Sequence, residues 1–219
     1  MRRFLLQNFL YSLIFLLLVS CKTYKLTDAK PLPLHKSFKT ENLFFTSSQD
    51  YIYKCQMEVY GNNISGILII KKISKTKHRV VMTTDFGNKM IDFELAENDF
   101  KLNYVLPDLD KKIVINFLKN DFQELLRQKY ILTERFENNE SIIDISKDGK
   151  KTYYLFYGKE TKLLHQIVLT KNKREKINFR FDAKKPTFAE IIEIQHKDFK
   201  IDIKLFQITE TEAHANDTN

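Results

Sequence analysis

Alternation of apolar and polar residues with a period of two narrows the fold of this chain more than any other feature. Over 51–60, Tyr51, Tyr53, Cys55, Met57 and Val59 share one face of an extended segment, which is the pattern of a half-buried strand. Gly61, Asn62 and Asn63 follow, residues that accept the positive φ of a tight turn. The next strand is expected over 64–73, apolar on both faces from 67 to 70 and therefore covered on both sides. Further strands are expected over 79–84, 90–95 and 100–106, with Ile91, Phe93 and Leu95 opposite Asp92 and Glu94. The connections are short, so the first half reads as an antiparallel meander. Ahead of it, 41–48 holds Leu43, Phe44 and Phe45 and reads as a short amphipathic helix or strand.

After Pro107 the period changes. Val114, Phe117, Leu118, Phe122, Leu125 and Leu126 recur at spacings of three and four, a single apolar stripe that predicts one bent helix or two short ones between 110 and 130. Asp121 lies inside the stripe with Glu124 three residues on, the spacing that caps a new helix start. Strands return over 141–146, 152–157, 163–170, 176–181, 188–196 and 199–208. About ten strands with one helical insertion predict a mainly β protein, a half-open antiparallel β-barrel or strongly curved sheet with a helical lid packed on its concave face.

The apolar supply is large, with 18 Phe and 10 Tyr and 43% hydrophobic residues in a lysine-rich chain. Either the core is well filled, or the sheet and its helix leave an apolar cavity for a ligand. Enzyme signatures are missing: there is no Gly-x-Ser-x-Gly, no His-Glu-x-x-His, no phosphate-binding glycine loop and no Cys-x-x-Cys. The tripeptide Asp85-Phe86-Gly87 stands without the other kinase motifs. His35, His78, His165, His196 and His214 show no metal spacing and read as solvated or strand-face residues. No cofactor and no metal is implied, and an enzyme is not expected. The net charge of +8 is spread along the chain without the basic block that nucleic-acid binding calls for.

The amino terminus indicates where the domain resides. Arg2 and Arg3 precede an apolar run over 9–19 that ends in Leu18-Val19-Ser20-Cys21. A positive start and an apolar middle of secretory length make a signal peptide, and the Cys directly after Leu-Val-Ser resembles the bacterial lipobox. That resemblance implies diacylglycerol on the Cys21 thiol and cleavage before it; the alternative is an anchor or ordinary signal with an incidental Cys. The domains expected are a lipoprotein signal at 1–20, the lipidated Cys and an extended tether at 21–40, the half-barrel at 41–209 and a flexible tail at 210–219. Cys55 is left without a disulfide partner and reads as a buried small hydrophobe. The residues after Cys21 lack the acidic run that resembles a surface-export signal, so the periplasmic side is expected.

The order of elements resembles that of the lipoprotein-localisation proteins, the periplasmic carrier and more closely the outer-membrane lipoprotein receptor (LolB-like). The likeness rests on the lipobox and tether, the strand–loop–strand at 78–95, the helix after the meander, and 185–194 followed by a final alternating strand. It departs in the loop, where Phe and Asp replace Leu and Pro, and in the missing tryptophans. The resemblance implies a monomer anchored by lipid in the outer membrane and facing the periplasm. It would bind acyl chains of a lipid or lipoprotein in a hydrophobic cavity, with the periplasmic carrier as a partner. Cys21 becomes the lipidation site and Phe86 the protruding residue of a membrane-insertion loop, although Phe86 reads equally well as folded onto the core. Val114, Phe117, Leu118, Phe122, Ile91 and Phe93 are the cavity candidates. The alternative is a cell-envelope interaction module with a filled core and no ligand.

Overall fold

The computed structural model describes residues 23–34, 39–97 and 99–208. Cys21, the signal and the 210–219 tail lie outside them. Among the described residues the strands are β1 (Lys30–Leu32), β2 (Lys39–Glu41), β3 (Tyr51–Val59), β4 (Asn62–Lys72), β5 (Lys77–Thr83), β6 (Lys89–Ala96) and β7 (Asp99–Val105). A 3-10 turn (Pro107–Leu109) leads to helix α1 (Lys112–Leu125). There follow β8 (Lys129–Glu137), β9 (Ser141–Asp148), β10 (Lys151–Gly158), β11 (Leu164–Lys171), β12 (Arg174–Asp182), β13 (Ile191–His196) and β14 (Ile201–Gln207). All pair antiparallel in the order β1-β8-β9-β10-β11-β12-β13-β14-β3-β4-β5-β6-β7, and β2 also pairs with β8. The sheet curves without closing, so β7 is a free edge among the described residues. The half-open barrel with a helical lid is the architecture found. No helix among the described residues is long and apolar enough to cross a membrane.

The alternation read over 51–60 is realised: Tyr51, Tyr53, Cys55 and Met57 are buried while Ile52, Gln56 and Glu58 are exposed. Burial pushes the Cys55 thiol up to about 12, so it packs as a hydrophobe. The strand count is higher than expected. The segment 129–137, read as the end of a helical region and the loop after it, is β8; Tyr130 and Leu132 alternate into the core, but adjacent Glu134 and Arg135 obscure the period. Arg135 is neutralised by a paired contact with Asp144 of β9, a partner only folding supplies. Glu41 ends β2, and the rest of the segment 41–48 forms neither helix nor strand. It buries Phe44 and Phe45, with Phe45 at φ 60°, and the Asn42 side chain accepts the Phe44 N–H at 3.0 Å.

The described part of the expected tether packs on one face of the sheet. Tyr24, Leu26 and Ala29 pack on Ile143, Phe156 and Val168, which face away from α1. The Tyr24 ring lies 4.8 Å from Tyr154, and its N–H donates to the Lys173 carbonyl at 2.8 Å. The tether's described residues from Tyr24 to Leu32 are part of the folded body. Sparse apolar residues separated by lysines and prolines give no period from which that packing could be read.

Candidate functional site

α1 lays Leu118, Phe122 and Leu125 on the inner face of the sheet. It is one helix, so Asp121 and Glu124 cap nothing. Both are buried, and each has a partner distant in sequence: Glu124 meets Lys151 at 2.5 Å and Asp121 meets His196 at 3.0 Å. Two halves of the lid differ as a result. The C-terminal half ends among charged groups, with Arg127 stacked over Tyr130 and Tyr153 and bonded to Asp148. The N-terminal half covers an apolar seam. The helix start is also its weaker end, since Lys111 makes no side-chain cap bond and the first turn has no acidic residue. Lys111 and Lys112 instead add positive charge to the positive pole of the helix dipole.

The seam encloses a cavity of about 20 Å³, room for about one water. Ile91, Val114, Phe117 and Leu118 line it with Met57, Val59, Ile64 and Ile201. Phe93 and Phe122, the other two cavity candidates, pack edge-to-face on each other at 5.5 Å in the core beside it. A larger hollow of about 370 Å³ lies on the opposite face among His165, Arg180, Asp182 and Glu193. Phe181 and Ile191 also line it, but an acyl chain there would have to desolvate Arg180, Asp182 and Glu193.

One polar pair interrupts the seam, and sequence reasoning missed it. His196 Nδ1 lies 3.0 Å from the Ile201 carbonyl and Nε2 lies 3.0 Å from Asp121 Oδ1. A carbonyl can only accept, so Nδ1 carries a hydrogen, and the second contact then requires a proton of its own between Nε2 and Oδ1. Burial lowers the His196 pKa, but hydrogen bonding and the charge of Asp121 outweigh it and hold it above the ordinary value. Burial raises the Asp121 pKa, opposed in part by His196. The pair therefore retains one proton and is neutral overall. Asp121 Oδ2 is buried at the cavity wall with no hydrogen-bond partner among the described residues.

Phe86 sits at the tip of the β5–β6 turn and is 94% exposed. The turn is closed by Thr84 N–H to the Asn88 carbonyl at 2.8 Å and Gly87 N–H to the Thr84 carbonyl at 3.0 Å; Gly87 takes φ +84°, which a side chain would resist. Lys54 of β3 pairs with Asp85 at its base. Gly66 of β4 lies beside the start of this turn, where a Cβ would fall 2.0 Å from the Thr83 carbonyl oxygen. Among the described residues, no group of three or more His, Cys, Asp and Glu is placed to hold a metal ion.

No family model and no curated protein matches the sequence. In fold, the chain is similar to a LolA-superfamily protein of Nitrosomonas europaea, with a TM-score of 0.51 at 7% identity, over 77% of this chain and 87% of that one. A Vibrio parahaemolyticus domain described as a putative outer membrane lipoprotein-sorting protein aligns over 78% of this chain and 91% of its own, at 8% identity and a TM-score of 0.41. At 7% identity the likeness to the Nitrosomonas europaea protein is one of fold alone.

Proposed function

We propose that this chain is a lipid-anchored outer-membrane protein that takes acyl chains of a lipid or lipoprotein between α1 and the sheet and delivers them to the membrane. Cys21 carries the anchor, Phe86 enters the bilayer, and no covalent step occurs. The observation that carries this reading is the seam itself, an apolar wall closed by the weakly capped half of a single helix. Lifting that half uncovers buried Leu118 and partly buried Val114 and Phe117, at a cost of at most about 1.5–3 kcal/mol each, whereas an acyl chain returns about 0.8 kcal/mol per methylene. About six to eleven methylenes are therefore enough to offset the opening. The periplasmic carrier is the partner that would present the cargo.

The size of the closed cavity favours a second reading, an interaction module whose core is already full. Mass spectrometry of lipid extracted from the purified protein separates the two, because a filled core brings none. Phe86→Glu tests the delivery step: an exposed charge leaves the melting temperature unchanged and transfer of cargo to acceptor vesicles is lost. Intact transfer by the variant removes the loop from the mechanism.

A further inference from the structure

Strand directions place several turns at one end of the sheet. β3 and β5 run the same way, so the Tyr60 turn after β3 and the Phe86 turn after β5 lie at the same end. Ile201 pairs with Val59, and the Tyr60 N–H donates to the Lys200 carbonyl at 2.8 Å, which brings in the β13–β14 turn with Phe199. β7 also ends here, so α1 begins here, and Val59, Val114 and Ile201 of the seam lie at this end. Tyr60 is 51% exposed and Phe199 46%. Phe199 additionally touches the lid through Phe117 at 5.0 Å.

The same end is basic. Lys150, Lys173, Lys197, Lys200, Lys111 and Lys112 are all exposed on its turns and at the helix start. Of the acidic groups there, Asp85, Asp148, Asp198 and Glu175 are held by Lys54, Arg127, Lys176 and Lys197; Asp108 lies within the 3-10 turn and Asp110 follows it, and Glu58 and Asp202 stand opposite each other on β3 and β14, leaving Lys111, Lys112, Lys150, Lys173 and Lys200 as the surplus. Tyr24 is fixed to Lys173 at this end too. Cys21 precedes it by three residues, a distance that an extended chain spans in at most about 10 Å.

We infer that the domain docks on an anionic bilayer by this end, with Tyr60, Phe86 and Phe199 as apolar tips among the lysines and the seam opening towards the lipid. Aromatic rings on a turn suit the boundary between headgroups and acyl chains, and lysines beside them are drawn to an anionic surface. The short reach from Cys21 allows no other end to face the membrane, a step that rests on the proposed acylation of Cys21. The protein then lies on the membrane rather than hanging from a long tether, and cargo leaving the seam enters lipid directly.

Because the chain has no Trp, single tryptophans report depth without background. Tyr60→Trp, Phe86→Trp, Phe199→Trp and, at the opposite end, Ile73→Trp are made in the full-length lipoprotein and reconstituted into vesicles of brominated phosphatidylglycerol and phosphatidylcholine. Mass analysis of the amino-terminal peptide accompanies each. The three tips are expected to lose most of their fluorescence while Ile73→Trp keeps its own. Quenching of Phe86→Trp alone, or equal quenching at Ile73→Trp, overturns the docking geometry and leaves the acyl-chain function standing. A Cys21 peptide without lipid overturns the anchor and the geometry together.

Discussion

Replacing Asp121 by Asn should remove a specific part of the pH dependence of stability. In the folded protein the His196–Asp121 pair holds one proton, set by the contacts of Nδ1 with Ile201 and of Nε2 with Asp121. In the unfolded chain an ordinary His releases its proton above a pH of about 6.5 and an ordinary Asp above about 3.9. Above about 6.5 the native state thus binds one proton more than the unfolded state, and the pair's contribution falls by about 1.4 kcal/mol per pH unit until the folded pair itself deprotonates. The sign agrees with a His196 pKa raised on folding. Between about 4 and 6.5 both states hold one proton and the pair contributes no slope. In the Asp121→Asn variant the introduced amide would donate its N–H to a neutral His196 and exchange no proton, so the alkaline slope should be flatter by about that amount. Glu124 and Asp202 are unchanged and cancel in the comparison. Urea unfolding followed by circular dichroism across the alkaline range, for both proteins, provides the test. Parallel curves would show that the buried proton does not reside in this pair.

Three further outcomes are expected. Cys21→Ser should abolish incorporation of radiolabelled palmitate, and persistent labelling would refute the lipobox. Gly66→Ala should destabilise by about 1–3 kcal/mol, because the new methyl must push β4 away from Thr83; an unchanged denaturation midpoint would show that the strand moves freely. Phe122→Ala should cost about 3–5 kcal/mol, since Phe122 is fully buried against Phe93; a smaller loss with tighter binding of a hydrophobic probe would mean that the lid tolerates the space as ligand room.

The parts of the molecule legible in the sequence are those in which a local period reports directly on burial. β3, β6 and α1 carry their apolar residues at regular spacings, so their faces can be assigned without partners. β8 cannot be read this way, because Arg135 is acceptable in a half-buried strand only once Asp144 stands opposite it. The Asp121–Glu124 spacing is a local signal with two readings, and choosing between them requires His196 and Lys151. His196 looks isolated along the chain for the same reason. The exposed tip at Phe86 is open in the sequence, since nothing local distinguishes a turn aromatic that folds inward from one that stands clear.

The free edge at β7 has a consequence for how long the lid can stay raised. α1 lies beside that edge: Lys119 sits over the Phe100 ring at 5.6 Å, and Phe100 packs on Phe93. Lifting the helix to admit cargo would bare these rings next to unpaired backbone groups, the combination that lets one sheet continue into another. Crowded, open protein would therefore tend to polymerise. The charges at Asp99 and Lys101 and the irregularity between Asp92 and Phe93 oppose that growth. These devices at the edge act against self-assembly, whatever passes through the seam.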